Sequence, residues 1–151
     1  MIYLNHADEI DPAPYSETIL KAIQRSFAHF SLGEDKDLTI YLTNDEEIAV
    51  LNKTWMDKEG PTDVLSFPSE ETDLDSGNEY LGDIVISLDR AKEQSATNGN
   101  TQHEECALLA IHGVLHLLGL DHYTDEEKKE MWSHQSAILA DLGLGHIAIT
   151  E

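Results

Sequence analysis

Residues 104–122 read EECALLAIHGVLHLLGLDH. From Cys106 to Leu118 the run holds no charged residue, and only His112 and His116 break its apolar character. A helix with no polar face is ordinarily buried at the centre of a domain. The run is too short to span a bilayer, so it reads as a central core helix. Gly119 stands where a C′ glycine ends such a helix. Four residues separate His112 from His116, which sets the two imidazoles about 40° apart and about 6 Å along one face. Past the glycine the chain turns, and His122 returns to the same side.

A lone buried histidine is ordinarily a hydrogen-bonded core residue. Two on one face of an apolar helix each need a polar partner in a dry core. A third follows directly after the terminating glycine. The spacing therefore points to one divalent transition metal per chain, held by His112, His116 and His122. Zinc, Zn(2+), is the expected ion, with another divalent transition metal as the alternative. Cys106 lies about 120° off the histidine face, so it does not close a four-ligand structural site. Three histidines with an open position fit a catalytic site, and Asp121 is placed to orient one of them or to fix the turn.

The stretch HGVLHLLGLDH shares its spacing with the peptidase pattern H-E-x-x-H-x-x-G-x-x-H, whose glutamate is the general base. Gly113 occupies that position, which argues against a zinc peptidase. RNA carries its own nucleophile, the 2′-hydroxyl, and a metal can polarise its phosphoryl oxygen.

Around this helix, short strands and helices alternate. Ile2–Asn5 reads as a strand and Pro14 to Phe30 as an amphipathic helix, with Ile19, Ile23, Phe27 and Phe30 at helical spacing. Leu38–Thr43 (LTIYLT) is a strand. Asn44 with Glu47 forms a capping box that opens a helix to about Trp55. Asp57–Pro61 is a turn, and Val64–Phe67, stopped by Pro68, suits a sheet edge. Ser69–Glu79 reads as a mobile acidic loop, and Ile84–Ser87 as a buried strand. A helix follows over Leu88–Ala96, then a loop over Thr97–Gln102. Thr124 with Glu127 opens a last helix to about Leu142. The expected class is α+β in a single domain over residues 1–151, a small mixed sheet packed with helices around the buried histidine helix.

The chain carries 30 acidic and 9 basic residues, a formal charge of −21. Such a surface repels free nucleic acid, so any role on RNA rests on a local site, a metal or a basic partner. The first residues lack the basic segment and apolar run of a signal peptide, and the single Cys106 excludes an internal disulfide. A cytoplasmic protein without a membrane segment is expected.

Three ordered blocks carry a family resemblance. Residues 51–68 read LNKTWMDKEGPTDVLSFP, residues 81–87 LGDIVIS, and residues 111–122 IHGVLHLLGLDH. They resemble the YbeY family, bacterial endoribonucleases of rRNA maturation, whose blocks read LNxxxRxxxxPTDVLSFP, LGDIVIS and VHGxLHLLGYDH. The resemblance implies a zincin-like fold and a metal-dependent, single-strand-specific endoribonuclease. It implies action at the 3′ end of small-subunit rRNA and in ribosome quality control, with the small ribosomal subunit and its proteins as partners. It also implies His112, His116 and His122 as ligands. Two positions depart from the pattern. Met56 stands in place of the family arginine, leaving Lys53 and Lys58 as nearby cations, and Leu120 replaces a tyrosine. Met56 and the charge of −21 motivate the alternative of a non-catalytic ribosome-assembly factor with a structural metal.

Ser66, with His112 and His116, is the expected catalytic set, Ser66 being presented to substrate by the edge strand. Thr62 and Asp63 are expected to fix the turn after Pro61. Glu105 is read as a carboxylate favoured near a helix N-terminus, and Asp83 as structural. Cys106 is a small buried hydrophobe; His6, His29, His103, His134 and His146 have no comparable spacing and are read as surface or core residues.

Overall fold

Among the described residues nine elements follow the expected order: β1 (Ile2–His6), α1 (Ala13–His29), β2 (Lys36–Thr43), α2 (Asp45–Met56), β3 (Val64–Pro68), β4 (Glu79–Ser87), α3 (Leu88–Asn98), α4 (Gln102–Leu117) and α5 (Asp125–Asp141). The computed structural model describes residues 1–147 and 149. Its strands form one mixed sheet in the order β1-β2-β4-β3. β1, β2 and β4 run parallel, and β3 joins antiparallel at the edge, as its proline-bounded sequence suggests. Parallel neighbours need a crossover. Here α1 supplies the one between β1 and β2, while α2 and β3 lie between β2 and β4. The result is the expected α+β architecture.

Strand periodicity sorts the side chains onto two faces. Leu38, Ile40 and Leu42 of β2 and Ile84 and Ile86 of β4 enter the main core with α1 and α4. Tyr41 and Val85 point the other way, into a smaller cluster with Ile48 and Leu51 of α2. Helix α4 lies in the main core, and every residue from Glu105 to Leu115 is buried. Burying each of Leu109, Ile111 and Leu115 contributes about 1.5–3 kcal/mol relative to exposure. That packing fixes α4, and with it the histidines it carries.

The helix ends follow local chemistry. Thr101 and Glu104 form a reciprocal capping box at the start of α4, with bonds of 3.1 and 2.7 Å. The loop expected over residues 97–102 is accordingly shorter, because α3 runs to Asn98 and α4 begins at Gln102. At the other end, Leu120 N–H donates to the Leu115 carbonyl and Gly119 N–H to that of His116, each at 3.0 Å. These two bonds close a Schellman turn, and Gly119 takes the φ of +93° that such a turn asks of C′. Thr124 and Glu127 cap α5 as expected. At α2 only half of the expected box forms. Asn44 accepts from Glu47 N–H at 2.9 Å, but the Glu47 carboxylate takes the Thr43 hydroxyl at 2.7 Å.

Two further expectations need correction. β4 starts at Glu79 rather than Ile84, its first residues pairing with Lys36 and Asp37 of β2. The acidic stretch before it folds back on β4 rather than standing free. Tyr80 N–H donates to the Glu71 carbonyl at 2.8 Å, Ser69 N–H to that of Leu81 at 2.9 Å, and Asn78 reaches buried Asp37 at 3.0 Å. No described helix is long and apolar enough to cross a membrane.

Candidate metal centre

His112 and His116 leave α4 on one side, and the Schellman turn brings His122 back beside them. One ring nitrogen from each of the three lies within 4.8 Å of the others. The ring centroids are 4.5, 5.4 and 5.2 Å apart. His112 is only 4% exposed, while His116 and His122 are half-buried. They line a cleft of about 580 Å³ that is shared with β3, the end of α2 and the start of α5. The site is buried on its helix side and accessible on the other.

The far side of each ring decides which nitrogen can ligate. His112 Nδ1 lies 3.1 Å from Gln135 Oε1, and its Nε2 faces His116 Nε2 at 2.9 Å. An amide oxygen only accepts, so Nδ1 carries the proton and Nε2 keeps its lone pair. Behind His116, Asp121 Oδ1 lies 4.0 Å from Nδ1, and a backbone hydrogen bond at Leu120 favours a proton on the ring. Two ring nitrogens 2.9 Å apart hold either a proton on His116 Nε2 or a bound cation between them. Two nitrogens bound tetrahedrally at zinc distances sit about 3.3 Å apart, a few tenths of an ångström from the observed separation. The donor set therefore fits a divalent metal.

Electrostatics agree. Burial, then the neighbouring His116, pushes the His112 pKa down to about 4. His116 is lowered as well, by burial first, with Asp121 opposing. At neutral pH both imidazoles are uncharged, which is the form that ligates.

The remaining residues singled out in the sequence fall into two groups. Ser66 lines the cleft, and its hydroxyl donates to the Gly113 carbonyl at 3.3 Å, tying β3 to α4. Asp121 accepts from His122 N–H at 3.0 Å, so it holds the turn and also stands behind His116. Asp63 accepts from Val64 N–H at 2.8 Å and from Gln94 at 3.1 Å, fixing the turn into β3 while facing the cleft. Thr62 donates to Asp63 at 3.3 Å.

Away from the cleft, Glu105 is buried and accepts from Asn98 and Asn100 at 3.1 and 2.9 Å, binding the α3–α4 loop to the helix. Asp83 takes the Tyr80 hydroxyl beside Tyr41 and Trp55, on the sheet face opposite α4. Cys106 is fully buried in the core, and burial pushes its thiol up to about 12. His29 and His134 meet each other at 2.9 Å, and His146 meets Glu104 at 2.6 Å, all outside the cleft.

Gly113 has a packing reason. A Cβ there would stand 2.7 Å from Ile84 Cγ2 and 3.1 Å from Cγ1 and Cδ1. The position after the first histidine faces the sheet, and no side chain there can act as a base in the cleft.

Met56 lines the cleft, and so do Lys58 and Lys128. Lys53 does not; it pairs with Asp57 at 3.4 Å and Glu59 at 2.8 Å. Lys128 holds its ammonium 5.1 Å from the centre of the Trp132 ring. Among the described residues no carboxylate pairs with Lys58 or Lys128. Gln135, Trp132 and Lys128 escaped the sequence reading. A signal for Gln135 existed, since it interrupts the buried stripe Met131, Ile138, Leu139 of α5. Lys128 carried none.

Comparison with known proteins extends these observations over the whole chain. Residues 2–143 match the family model described as Endoribonuclease YbeY. A Bacillus cereus protein named Endoribonuclease YbeY is 36% identical over 95% of this chain and 96% of its own length. One of the same name from Oceanobacillus iheyensis is 41% identical over 85% of this chain and 91% of its own. The solution structure of a Thermotoga maritima protein superposes with a TM-score of 0.60 at 23% identity, covering 95% of this chain and 92% of that one, a likeness of fold. With the histidine blocks inside a match that runs nearly end to end, the chain belongs to the YbeY family.

Proposed function

We propose that this protein is a metal-dependent endoribonuclease that cleaves single-stranded RNA at the 3′ end of small-subunit rRNA. One observation carries the reading: three imidazole nitrogens converge within 4.8 Å on the wall of an open cleft. His112, His116 and His122 hold the ion, zinc by donor type, and residues 1–151 act as one domain. When bound, the ion supplies Lewis-acid polarisation of a phosphoryl oxygen. The cleft, the relatives' shared name and the family membership support RNA as substrate. The small ribosomal subunit in the cytoplasm is the partner, and its basic proteins offset the charge of −21.

The chain's own groups then have distinct tasks. Lys58 and Lys128 hold phosphate oxygens as point charges, since Met56 offers no fork. Ser66 spends its only proton on the Gly113 carbonyl, so it faces the cleft as an acceptor for a ribose hydroxyl. β3, as an edge strand, leaves backbone groups along the cleft wall for further contacts. A peptidase reading has no support, because position 113 packs on Ile84.

A metal-loaded preparation should cleave a single-stranded rRNA 3′-end fragment, and His116→Ala prepared in parallel should not. Equal cleavage by both places the activity outside this site. Loss of folding on chelation, with no cleavage by the loaded protein even beside ribosomal subunits, favours an assembly factor whose metal is structural.

A further inference from the structure

Gln135 lies on the buried stripe of α5, between Met131 and Ile138, and is 1% exposed. Its neighbours on that stripe are apolar, and an apolar residue would satisfy the packing there. The amide is only half satisfied. Oε1 meets His112 Nδ1 at 3.1 Å, while Nε2 is the single buried side-chain nitrogen or oxygen without a partner among the described residues. Natural cores seldom keep such a group, because a buried donor without an acceptor forfeits its hydration. A use for the amide oxygen accounts for its retention.

That use follows from the geometry of His112. A neutral imidazole carries one ring proton, on Nδ1 or on Nε2. His112 turns Nε2 towards His116 and the cleft and Nδ1 towards α5. A proton on Nε2 would block ligation. An amide oxygen against Nδ1 demands the proton there. The reversed amide would donate to Nδ1 and force the proton onto Nε2.

We infer that Gln135 is a positioning residue that locks His112 in the Nδ1–H tautomer, so that Nε2 stays open to the metal. The inference rests on the metal reading given above. Gln135 acts through His112 and touches neither ion nor substrate. Ligating histidines commonly donate their second ring N–H to a carboxylate, a carbonyl or water, and loss of that partner typically weakens metal binding about 10–100-fold. Gln135 gives α4 such a partner from a helix that holds no ligand itself. Its amide is neutral, so the core is spared a buried charge when the metal is absent.

The test uses the full chain as wild type, Gln135→Met and Gln135→Glu. Methionine keeps the length and burial but replaces the amide oxygen with a weakly accepting sulfur; glutamate keeps an oxygen acceptor. Two readouts are taken: the histidine ring tautomer of the metal-free protein, from 15N chemical shifts at pH 7.5, and zinc affinity, by competition with a chromophoric chelator. The inference expects Nδ1–H for His112 in the wild type and loss of that preference in Gln135→Met. It expects zinc affinity about 10–100-fold weaker in Gln135→Met, with thermal stability of the metal-free form unchanged or raised. Gln135→Glu should restore affinity to the wild-type level or above. A purely packing role would leave both tautomer and affinity unmoved by methionine. An Nε2–H tautomer in the wild type, or equal zinc affinity in wild type and Gln135→Met, overturns the inference alone. A wild type that takes up no zinc while His112 is Nδ1–H overturns the metal reading, and the inference with it.

Discussion

Gly113→Ala sets two effects against each other, and the structure decides the sign. Alanine in place of glycine inside a helix gains about 0.8–1 kcal/mol from propensity. The new methyl would stand 2.7 Å from Ile84 Cγ2, with two further Ile84 carbons at 3.1 Å. Carbon atoms prefer about 3.5–4.0 Å. Ile84 is fully buried in the main core and has no solvent to move into. Overpacking of this kind costs about 1–3 kcal/mol. The net expectation is a loss of about 1 kcal/mol, or a fall in Tm of about 2–4 °C for a domain of this size. Thermal and urea unfolding of the metal-free protein measure it. A double-mutant cycle with Ile84→Ala isolates the cause. Ile84→Ala alone should cost about 2–5 kcal/mol, and Gly113→Ala placed on that background should stabilise, because the vacated space takes the methyl. A Gly113→Ala that stabilises the wild-type background by the full propensity gain would refute the packing argument. It would also reopen position 113 to a functional side chain.

Other outcomes follow from the same geometry. His112 stays neutral in the folded chain down to about pH 4, whereas the unfolded chain takes up a proton near pH 6.5. The unfolded state then binds more protons, so stability is complete above about pH 6.5 and falls as pH drops towards 4, by about 3 kcal/mol for this group. Denaturant unfolding of the metal-free wild type beside His112→Gln should show a steeper acid loss in the wild type; parallel curves would contradict it. The Cys106 thiol, buried and pushed up to about 12, should resist alkylation by iodoacetamide at pH 8 in the native state and react on unfolding. Fast native reaction would mean that the start of α4 opens. Lys128→Glu should raise KM for RNA severalfold at low salt with less effect at high salt, since the interaction is between exposed charges. A change in kcat alone would place Lys128 outside phosphate binding.

The histidine helix was readable in sequence because one segment carried every signal: no polar face, two histidines on one side, and a glycine to end it. The sheet edge was readable from Pro68, and the last helix from Thr124 and Glu127. The Thr101–Glu104 box sat in plain view, but the polar run TNGNTQ around it reads as a loop until a structure shows Thr101 turned back on Glu104. The first half of β4 was hidden because Glu79 and Tyr80 are not core residues, and their pairing with Lys36 and Asp37 crosses some 40 positions of chain. The cleft was the least legible part. Lys58, Ser66 and Lys128 meet there only because β3 packs on α4 and α5 returns beside it. Gln135 was marked locally as a polar break in a buried stripe, but its partner lies 23 residues earlier on another helix. Local pattern showed the three histidines, and tertiary contact supplied what holds them.

On the proposed reading His112, His116 and His122 form one metal site, and RNA cleavage takes place there. Zinc titrated into the metal-free protein, with occupancy and cleavage of a single-stranded rRNA 3′-end fragment followed in the same samples, tests both halves of that reading at once. Cleavage rising in proportion to occupancy and levelling at one ion per chain, with neither uptake nor cleavage in His116→Ala, is the predicted result. Cleavage at full rate before any ion is bound, or one ion taken up as tightly by His116→Ala as by the wild type, would contradict it.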